Sequence, residues 1–484
     1  MVSGLQGFFD GVLKGVAHGW LYDENATGVA LAVVIDENEQ FRIVANGHRP
    51  DLAEAGFGDC LYMFDIPEVF RDGAVHQLQL RHIDRNVFVF DEPVDFMVLP
   101  SIDSGDQPMN AAALLVATTA TALSVVLPTF NRADMLEETL ENLMTTIGTD
   151  PIEMVVVDDG STDRTADLLA AMTIKYPKLK FASISNGGPG NARNVGAAMA
   201  TGELIMFVGD DTRATSPDLF RSHIATHRKY PERSLAVLGK IIWPDRREVA
   251  PNFVMQLIQG DGQQQFGYKF MQPWKKYEYW AFYTANVSVK ADIVKDWMKE
   301  GFSPDYTLAA FEDADFAYRM SKNYPDFGIF YNPNAVVEHH HPYDVAGFMR
   351  RQVNAGLMMD VMVRRHPELA EQLLGSRLAG ILSKPGASGV TNLPMSHYSA
   401  VVEGLRSWAV VLDAHYGLGS QNWHADFLNA IFKLSLYDGY LSVQRCPPSA
   451  RAEAYKYLLE DFRTQFGRSI AHEAMGGVGG FGLI

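Results

Sequence analysis

The chain contains Leu204-Ile205-Met206-Phe207-Val208-Gly209-Asp210-Asp211-Thr212, an apolar run that ends abruptly in two adjacent carboxylates. So short an apolar run is typical of a strand buried on both faces of a sheet. The glycine predicts a turn, so the acids emerge at the strand's carboxyl end, where open α/β sheets bind ligands. Neighbouring carboxylates repel each other, so they either face solvent or share a hard divalent cation. The run alone leaves a solvated Asp-Asp turn and a metal site equally open.

Strands and helices alternate around this run from about residue 122 onwards. Residues 124–127, 152–157 and 181–184 have the composition of strands, and apolar residues at helical spacing fill the segments between them. Repeated strand–helix–strand units imply a parallel sheet with right-handed crossovers. We therefore predict an α/β domain at residues 122–345.

The regions on either side of this domain have different patterns. Short apolar runs bounded by turn residues predict an all-β sandwich at residues 1–100, and a segment rich in Ser, Asp, Ala and Thr predicts a linker at 101–121. A mostly helical pattern predicts a C-terminal helical region at 346–484. A chain of 484 residues is too long for one hydrophobic core, which agrees with several domains.

Composition narrows the classes of partner and the compartment. The formal net charge of −17 argues against a nucleic-acid partner and against a polybasic membrane anchor. Cys60 and Cys446 lie far apart, which fits a reducing compartment rather than a disulfide framework. Residues 1–7 lack the features of a signal peptide, and residues 111–127 are too short and polar for a membrane span. We expect a cytoplasmic protein and leave open peripheral contact with the inner face of the membrane and the oligomeric state.

Three pairs of adjacent acids in the predicted α/β domain stand out, namely Asp158-Asp159, Asp210-Asp211 and Glu312-Asp313. One acidic turn is ordinary. Three such pairs, each beside apolar residues within one α/β unit, indicate a shared site.

Six short motifs resemble those of family 2 glycosyltransferases, in the same order as in that family: 124–132 (SVVLPTFNR), 155–163 (VVVDDGSTD), 186–194 (NGGPGNARN), 207–211 (FVGDD), 284–288 (TANVS) and 311–315 (FEDAD). The likeness covers roughly residues 122–345. It implies a GT-A fold with a Rossmann-like mixed sheet, a nucleoside-diphosphate sugar as donor (a UDP-sugar by default) and a hydroxyl acceptor. A glycan, a lipid-linked glycan or a protein each fits as acceptor, and bacterial polysaccharide or cell-surface glycan synthesis is the expected setting.

The resemblance also implies a nucleotide-sugar site. Pro128 and Thr129 would shape the slot for the base. Asp158 or Asp159 would accept a hydrogen bond from a uracil ring N–H, because an ionised carboxylate only accepts. Arg193 would pair with phosphate or hold Asp158 in place. The full set of predicted nucleotide-sugar-binding residues is Pro128, Thr129, Asn131, Arg132, Asp158, Asp159, Asn186, Gly188, Arg193, Asp210, Trp280 and Asn286.

A metal site for Mn²⁺ or Mg²⁺ is implied at the end of the central strand. Asp211 is the preferred ligand and Asp210 the second choice, although Gly209 stands where the family often places its first acid. Family members often carry a histidine after a later strand that completes the metal site. Either His339 or His341 fits that position, and at least one residue of the His339-His340-His341 run is expected to have no such role.

Asp313 is the predicted general base of an inverting transfer, because the acceptor hydroxyl must lose a proton as it attacks the anomeric carbon. Glu312 would orient Asp313 or bind the acceptor. Trp280 and Tyr283 precede the TANVS motif, and such aromatic pairs are more often core than sugar platform. Asp315 and Arg319 have the spacing of a surface ion pair on a helix.

Two other functions share these features. A nucleotide-sugar or glycan-binding protein without turnover would use the same fold, and a nucleotidyltransferase would release pyrophosphate instead of a nucleoside diphosphate. Residues 11–23 resemble β-modules attached to bacterial glycosyltransferases. We favour a packing or spacer role for this module, and an exposed Trp20 or Tyr22 on a sheet face would favour carbohydrate binding.

Overall fold

The structure is a computed structural model of the chain. It describes residues 4–13, 16–26, 28–48, 56–71, 75–90, 93–97, 121–244, 253–259, 266–297, 300–383, 395–416 and 422–476. The predicted linker lies outside these residues apart from Thr121. Among the described helices, none combines the length and apolar composition that crossing a lipid bilayer requires.

The described N-terminal region consists mainly of strands: β1 (Leu5–Leu13), β2 (Val16–Asp23), β3 (Val29–Ile35), β4 (Asn38–Ala45), β5 (Leu61–Asp65), β6 (Val75–His82), β7 (Val87–Phe88) and β8 (Val94–Met97). β1, β2 and β5 form one antiparallel sheet, and β4, β3, β6 and β7 form a second, with β8 beside β6. Alternate residues of β2, such as Ala17 and Leu21, point into a core shared with Leu31 and Leu80 of the other sheet. Two sheets around one core are the arrangement expected of a sandwich.

The same alternation places Trp20 and Tyr22 on the outer face of the three-stranded sheet, where both are half-buried. Phe57 packs against both rings, with centroid distances of 5.2 and 5.3 Å. Neither ring is fully exposed, so the spacer role remains the favoured one, and both roles stay predictions.

A mixed sheet forms the centre of the protein: β9 (Leu123–Thr129), β10 (Ile152–Asp158), β11 (Leu179–Ser183), β12 (Leu204–Val208), β13 (Thr212–Ala214), β14 (Leu235–Ile242), β15 (Lys276–Tyr277), β16 (Asn286–Lys290) and β17 (Gly328–His339). The strand order is β11-β10-β9-β12-β16-β14-β17-β13, with β15 beside β17. β9 to β12 are parallel, as their helical crossovers predict, whereas β16 is antiparallel to both β12 and β14. The predicted α/β class with a mixed sheet is confirmed.

The helices of this part of the chain are α1 (Ala133–Ile147), α2 (Thr165–Lys175), α3 (Pro189–Met199), α4 (Leu219–Lys229), α5 (Phe253–Gln259), α6 (Ala291–Trp297) and α7 (Glu312–Asn323). α5 packs with the C-terminal helices, and the others cover the two faces of the sheet. Leu127 and Met154 pack with α1, α2 and α4 on one face. Val126 and Phe207 pack with α3, α6 and α7 on the other. Burial on both faces explains why these strands read as continuous apolar runs.

The predicted C-terminal helical region is confirmed: α8 (Val345–Arg365), α9 (Ala370–Leu374), α10 (Ser376–Ser383), α11 (Met395–Tyr416), α12 (Asn422–Ser442) and α13 (Pro448–Gly476). Asp344 caps α8, because its carboxylate accepts a hydrogen bond from the Gly347 N–H at 2.5 Å. Gly356 of α8 and Gly439 of α12 let the two helices touch backbone to backbone, since a Cβ on either would overlap a carbonyl oxygen of the other helix. Short 3₁₀ helices lie at Glu68–Phe70, Tyr268–Phe270, Tyr279–Ala281 and Pro367–Leu369.

Candidate active site

The site is built at the carboxyl end of β12, where the chain turns between Gly209 and Thr212. The turn is closed by a hydrogen bond from the Thr212 N–H to the Gly209 carbonyl at 3.3 Å. The His340 N–H donates to the Asp211 carbonyl at 2.7 Å, and β13 then pairs with the end of β17. The sheet itself therefore brings the histidines at the end of β17 beside the acids at the end of β12.

Asp211, His339 and His341 form a group that can hold a divalent cation. One ligand atom from each residue lies within 4.8 Å of the other two. His341 Nδ1 lies 2.9 Å from one Asp211 oxygen, and His339 Nε2 lies 3.4 Å from the other. One carboxylate and two imidazoles are ordinary metal ligands, and three protein ligands leave positions open for a substrate. His340 instead points to Glu338, with 3.1 Å between His340 Nε2 and Glu338 Oε2.

Arg132 balances the charge of the acidic pair. Its Nη1 donates to Asp210 at 3.0 Å and to Asp211 at 2.9 Å, and its Nη2 lies 3.2 Å from His341 Nδ1. Burial and the neighbouring Asp211 charge raise the pKa of Asp210 to about 6. Burial opposes ionisation of Asp211, yet its contacts with His339, His341 and Arg132 hold its pKa below the ordinary value.

His339 is a neutral, buried imidazole. Burial lowers its pKa to about 4, and the charge of Arg351 is among the contributions that lower it. Its Nδ1 atom has no hydrogen-bond partner within the described part of the chain. A neutral imidazole is the form in which histidine binds a metal.

Asp158 and Asp159 lie at the end of β10. Both are buried, and they accept hydrogen bonds from different residues. Asp158 accepts from the Ser161 N–H at 2.9 Å and from the Ser183 hydroxyl at 3.2 Å. Asp159 accepts from the N–H groups of Gly187 and Gly188 at 2.9 and 2.8 Å. Gly188 has a φ of 88°, a conformation that glycine adopts without strain. Asp159 lines the cleft described below and Asp158 does not.

The acids at the start of α7 lie across from the metal-binding group. Glu312 pairs with Arg193 of α3, with 2.8 Å between Arg193 Nη1 and Glu312 Oε1. Asp313 is half-buried, and its Oδ1 accepts from the Ala314 N–H at 2.8 Å. Burial and, as the second largest cause, repulsion from Glu312 raise the pKa of Asp313 to about 7. A carboxyl group with a pKa near 7 is suited to taking a proton near neutral pH.

Phe311, directly before these acids, has a strained backbone, with a φ of 64° and a ψ of −9°. A non-glycine residue in this left-handed region costs on the order of 1 kcal/mol or more. The strain turns the chain from the loop before it into α7 and so fixes the direction of Glu312 and Asp313.

One cleft of about 810 Å³ joins these groups. It is lined by Asp159, Gly188, Arg193, Asp210, Asp211, Glu312, Asp313, His339 and His341, together with Pro128, Thr129, Arg132 and Asn186. Thr129 is held in place by its hydroxyl, which donates to Asp210 at 2.9 Å. Most of the predicted site residues therefore meet in a single cleft.

Four predicted nucleotide-sugar-binding residues do not line this cleft, namely Asn131, Asp158, Trp280 and Asn286. Asn286 is buried in the sheet, where its amide donates to the carbonyls of Lys240 and Ala335 and its oxygen faces His223. Trp280 packs against Tyr277 outside the cleft, whereas Tyr283 lines it. Neither Asn286 nor Trp280 therefore lines the cleft, and a role for either in binding the nucleotide sugar stays a prediction.

Asn131 also lies outside the main cleft, beside a separate cavity next to Arg132. Its side-chain oxygen accepts from the Thr162 N–H at 2.7 Å and so ties the loop after β9 to the loop after β10. The sequence left two roles open for Arg193, which were pairing with phosphate and holding Asp158. In the structure Arg193 pairs with Glu312 and not with Asp158.

Asp315 and Arg319 are both buried, although their spacing is typical of an ion pair on the surface of a helix. Asp315 accepts from Arg319 at 2.8 Å, and Arg365 and His366 of the C-terminal region also contact it, at 3.0 and 2.8 Å. This network fastens α7 to the end of α8.

Several cleft residues were not predicted from the sequence: Phe266, Thr307, Leu308, Ala309, Ala310, Tyr343, Arg351, Gln352, Ala355 and Leu436. Arg351, Gln352 and Ala355 come from α8, and Leu436 comes from α12. A helical pattern alone does not indicate that these helices form a wall of the cleft.

Comparison with known proteins matches residues 124–279 to the family model described as "Glycosyl transferase family 2". A validoxylamine A glucosyltransferase from Streptomyces hygroscopicus subsp. jinggangensis is 29% identical over 279 residues, which are 52% of this chain and 62% of that protein. A poly(ribitol-phosphate) beta-glucosyltransferase from Bacillus spizizenii is 35% identical over 102 residues, 20% of this chain and 16% of that protein. A mannosyltransferase from Pyrobaculum calidifontis, solved with GDP-Man and Mn²⁺, aligns with a TM-score of 0.39 at 19% identity, over 71% of this chain and 88% of that chain. The chain thus spans about three fifths of the length of the first curated relatives it matches.

Proposed function

We propose that this protein, whose residues 124–279 match the model of glycosyltransferase family 2, transfers a sugar from a nucleoside-diphosphate sugar to a hydroxyl acceptor. One observation carries the proposal. The group Asp211, His339 and His341 lines the same cleft as Asp313, whose pKa is raised to about 7. A cation-binding group and a proton acceptor in one cleft are what such a transfer requires.

The donor would enter beside β9 and β10. Asp159 is the better of the two candidates for the base, because it lines the cleft and Asp158 does not. Its two oxygens already accept from Gly187 and Gly188, which fixes their direction, and each oxygen has a second lone pair for a uracil ring N–H. Thr129 and Pro128 would border the base on the side of β9.

The diphosphate would lie at the end of β12, near Asp211, His339 and His341. A divalent cation bound there supplies positive charge that neutralises the leaving nucleoside diphosphate. The two imidazoles favour Mn²⁺ over Mg²⁺, which prefers oxygen ligands. Arg132 stands next to this group and would hold the acids in their present direction until the substrate arrives.

The acceptor would approach from the side of α7. Asp313 takes the proton from the acceptor hydroxyl as its oxygen attacks the anomeric carbon, and the bond to the diphosphate breaks on the opposite face. One displacement of this kind inverts the anomeric configuration. Glu312 is engaged with Arg193, so its role would be to set the direction and the pKa of Asp313.

A hydroxyl group of a polyol, either a small molecule or part of a bacterial surface glycan, is the acceptor that we propose. The names of two relatives, which transfer glucose to validoxylamine A and to poly(ribitol phosphate), support a small or polymeric polyol acceptor. The proposed domain division is 1–100, 122–345 and 346–484, and the third part would complete the acceptor side of the cleft.

A panel of nucleotide sugars tests the function. We expect one UDP-sugar to raise the melting temperature in the presence of Mn²⁺ and to release UDP slowly in the absence of an acceptor, with the release abolished by EDTA. Release of pyrophosphate would indicate a nucleotidyltransferase. Binding of a donor without release of UDP under any condition, with candidate acceptors included, would indicate a binding protein and contradict the proposal.

A further inference from the structure

Among the described residues, three arginines line the cleft, and they differ in how their charge is balanced. Arg132 donates to Asp210 and Asp211, and Arg193 donates to Glu312. Arg351, on α8, has no carboxylate within ion-pair distance among the described residues, and its guanidinium lies 5.7 Å from the centroid of the Phe348 ring. The positive charge of Arg351 is therefore not balanced by a described carboxylate and is available to a ligand in the cleft.

Gln352, the next residue of α8, provides a second and independent observation. Its side chain lines the cleft and is only 6% exposed. The carboxamide of Gln352 makes no hydrogen bond to any other described residue. Because its amide atoms open to the cleft and are not enclosed by protein, they are available to hydrogen-bond a ligand there.

The geometry points to Arg351 and Gln352 as a phosphoryl-binding subsite that the C-terminal helical region contributes to the cleft. A guanidinium and an adjacent amide N–H₂ supply only donors toward an anion, which is the chemistry that phosphate oxygens require. This inference rests on the proposed function and deepens it. It assigns a binding role to α8, which lies outside the residues that match the family model.

Two sources supply such a phosphoryl group. The diphosphate of the donor is one, because Arg351 lies within electrostatic reach of His339 in the metal-binding group. A phosphate carried by the acceptor is the other, because α8 and α12 lie beyond the core α/β elements that would hold the donor. The chemistry is the same, and a binding experiment separates the two.

The experiment uses the full chain and Arg351→Met, which removes the charge and keeps a stem that packs on Phe348. Calorimetry with Mg²⁺ measures the affinities of UDP and of uridine. Broadening of the ³¹P line of glycerol 3-phosphate, added to the protein saturated with UDP, reports a phosphoryl group that binds beside the nucleotide. If the donor is the source, UDP affinity falls about tenfold or more while uridine affinity is unchanged, since charged hydrogen bonds are among the stronger ones. If the acceptor is the source, UDP affinity is unchanged and the broadening is lost.

Arg350→Ala is the matched control, because it removes the same charge one residue away on an exposed position of α8 that does not line the cleft. Arg351→Lys keeps the charge and is expected to restore part of the binding, and Gln352→Leu is expected to weaken the same ligand to a smaller extent. The inference is overturned if Arg351→Met binds UDP and glycerol 3-phosphate as the unchanged protein does, or if Arg350→Ala has an equal effect. Failure of the unchanged protein to bind UDP would instead count against the proposed function.

Discussion

Arg193 and Glu312, 119 residues apart in the sequence, form an ion pair with 2.8 Å between Arg193 Nη1 and Glu312 Oε1. Their side chains are 9% and 4% exposed. The pair joins α3, which follows the glycine-rich turn, to the first residue of α7. It thereby connects the proposed donor side of the cleft with the position of Asp313.

Breaking this pair should destabilise the protein strongly. Arg193→Met or Glu312→Gln leaves the other charge buried or poorly paired, and we expect a loss of about 3–5 kcal/mol in the free energy of unfolding. Urea denaturation measures it. The double variant should recover much of the loss, and single variants that lose less than about 1 kcal/mol would show that the pair is solvated.

Asp313→Asn should abolish most of the transfer while leaving donor binding intact. An amide cannot take the proton, so we expect the turnover rate to fall by about 10²–10⁴-fold. Rate measurements with the donor and acceptor found in the panel, together with calorimetry of UDP, check both parts. A variant that keeps nearly the full rate would exclude Asp313 as the base.

The pH dependence of kcat/KM should report the ionisation of Asp313. The carboxylate is the active form, so the rate should be lost as the pH falls through about 7, the value to which burial and Glu312 raise this pKa. Arg193 and the N–H groups of Ala314 and Thr284 act in the opposite direction. Glu312→Gln removes the repulsion and should move the midpoint to lower pH, and an unmoved midpoint would assign it to another group.

The ionisation of Asp313 should also change the free energy of unfolding with pH. The folded protein keeps a proton on Asp313 at pH values where the unfolded chain, with a pKa near the ordinary 3.8, has lost it. The contribution of Asp313 to stability is therefore present at low pH and declines as the pH rises from about 4 to about 7. Unfolding of Asp313→Asn, compared with the unchanged protein across this range, isolates the contribution.

The three consecutive histidines provide a matched test of the metal group. His339→Ala and His341→Ala should each weaken Mn²⁺ binding at least about tenfold, since changes in the groups that merely orient a ligand already cost about 10–100-fold. His340→Ala should leave Mn²⁺ affinity unchanged, because His340 faces Glu338. Calorimetric titration with MnCl₂ measures all three. Equal losses in all three variants would indicate a general disturbance of the strand end instead of ligation.

Asn286→Ala should affect stability and not ligand binding. It leaves the carbonyls of Lys240 and Ala335 and the His223 ring without their buried partner, and unpaired groups cost about 1–3 kcal/mol each. We expect a lower melting temperature and an unchanged affinity for UDP in the part that remains folded. Weaker UDP binding at full stability would restore the predicted role in the donor site.

The sequence predicts best the features that depend on local pattern. The apolar run of β12 and the acids after it predict a buried strand that ends in a ligand-binding edge, and Asp211 lies there. The histidine run after β17 predicts one functional ring, and the strand pairing brings both His339 and His341 to Asp211 while His340 turns away.

The sequence predicts poorly the features that depend on contacts between distant segments. The spacing of Asp315 and Arg319 is typical of a surface pair, but Arg365 and His366 bury it from another helix. The motif around Asn286 suggests a ligand-binding role, but antiparallel pairing of β16 turns the side chain into the sheet. Neither outcome has a local signal. The first depends on where the C-terminal helix α8 packs, and the second depends on how the strand β16 pairs.

The close contact of α8 and α12 at Gly356 and Gly439 has an evolutionary consequence. The two helices are held together by their backbones and by buried side chains such as Phe348 and Phe432, so the side chains that face the cleft, such as Arg351, can change without disturbing this contact. Under the proposed function, substitutions along this wall alter which molecule accepts the sugar, while the reactive groups at the strand ends stay the same. Diversification of products among descendants of this gene is therefore expected to be recorded in α8 and α12 before it is recorded in the sheet.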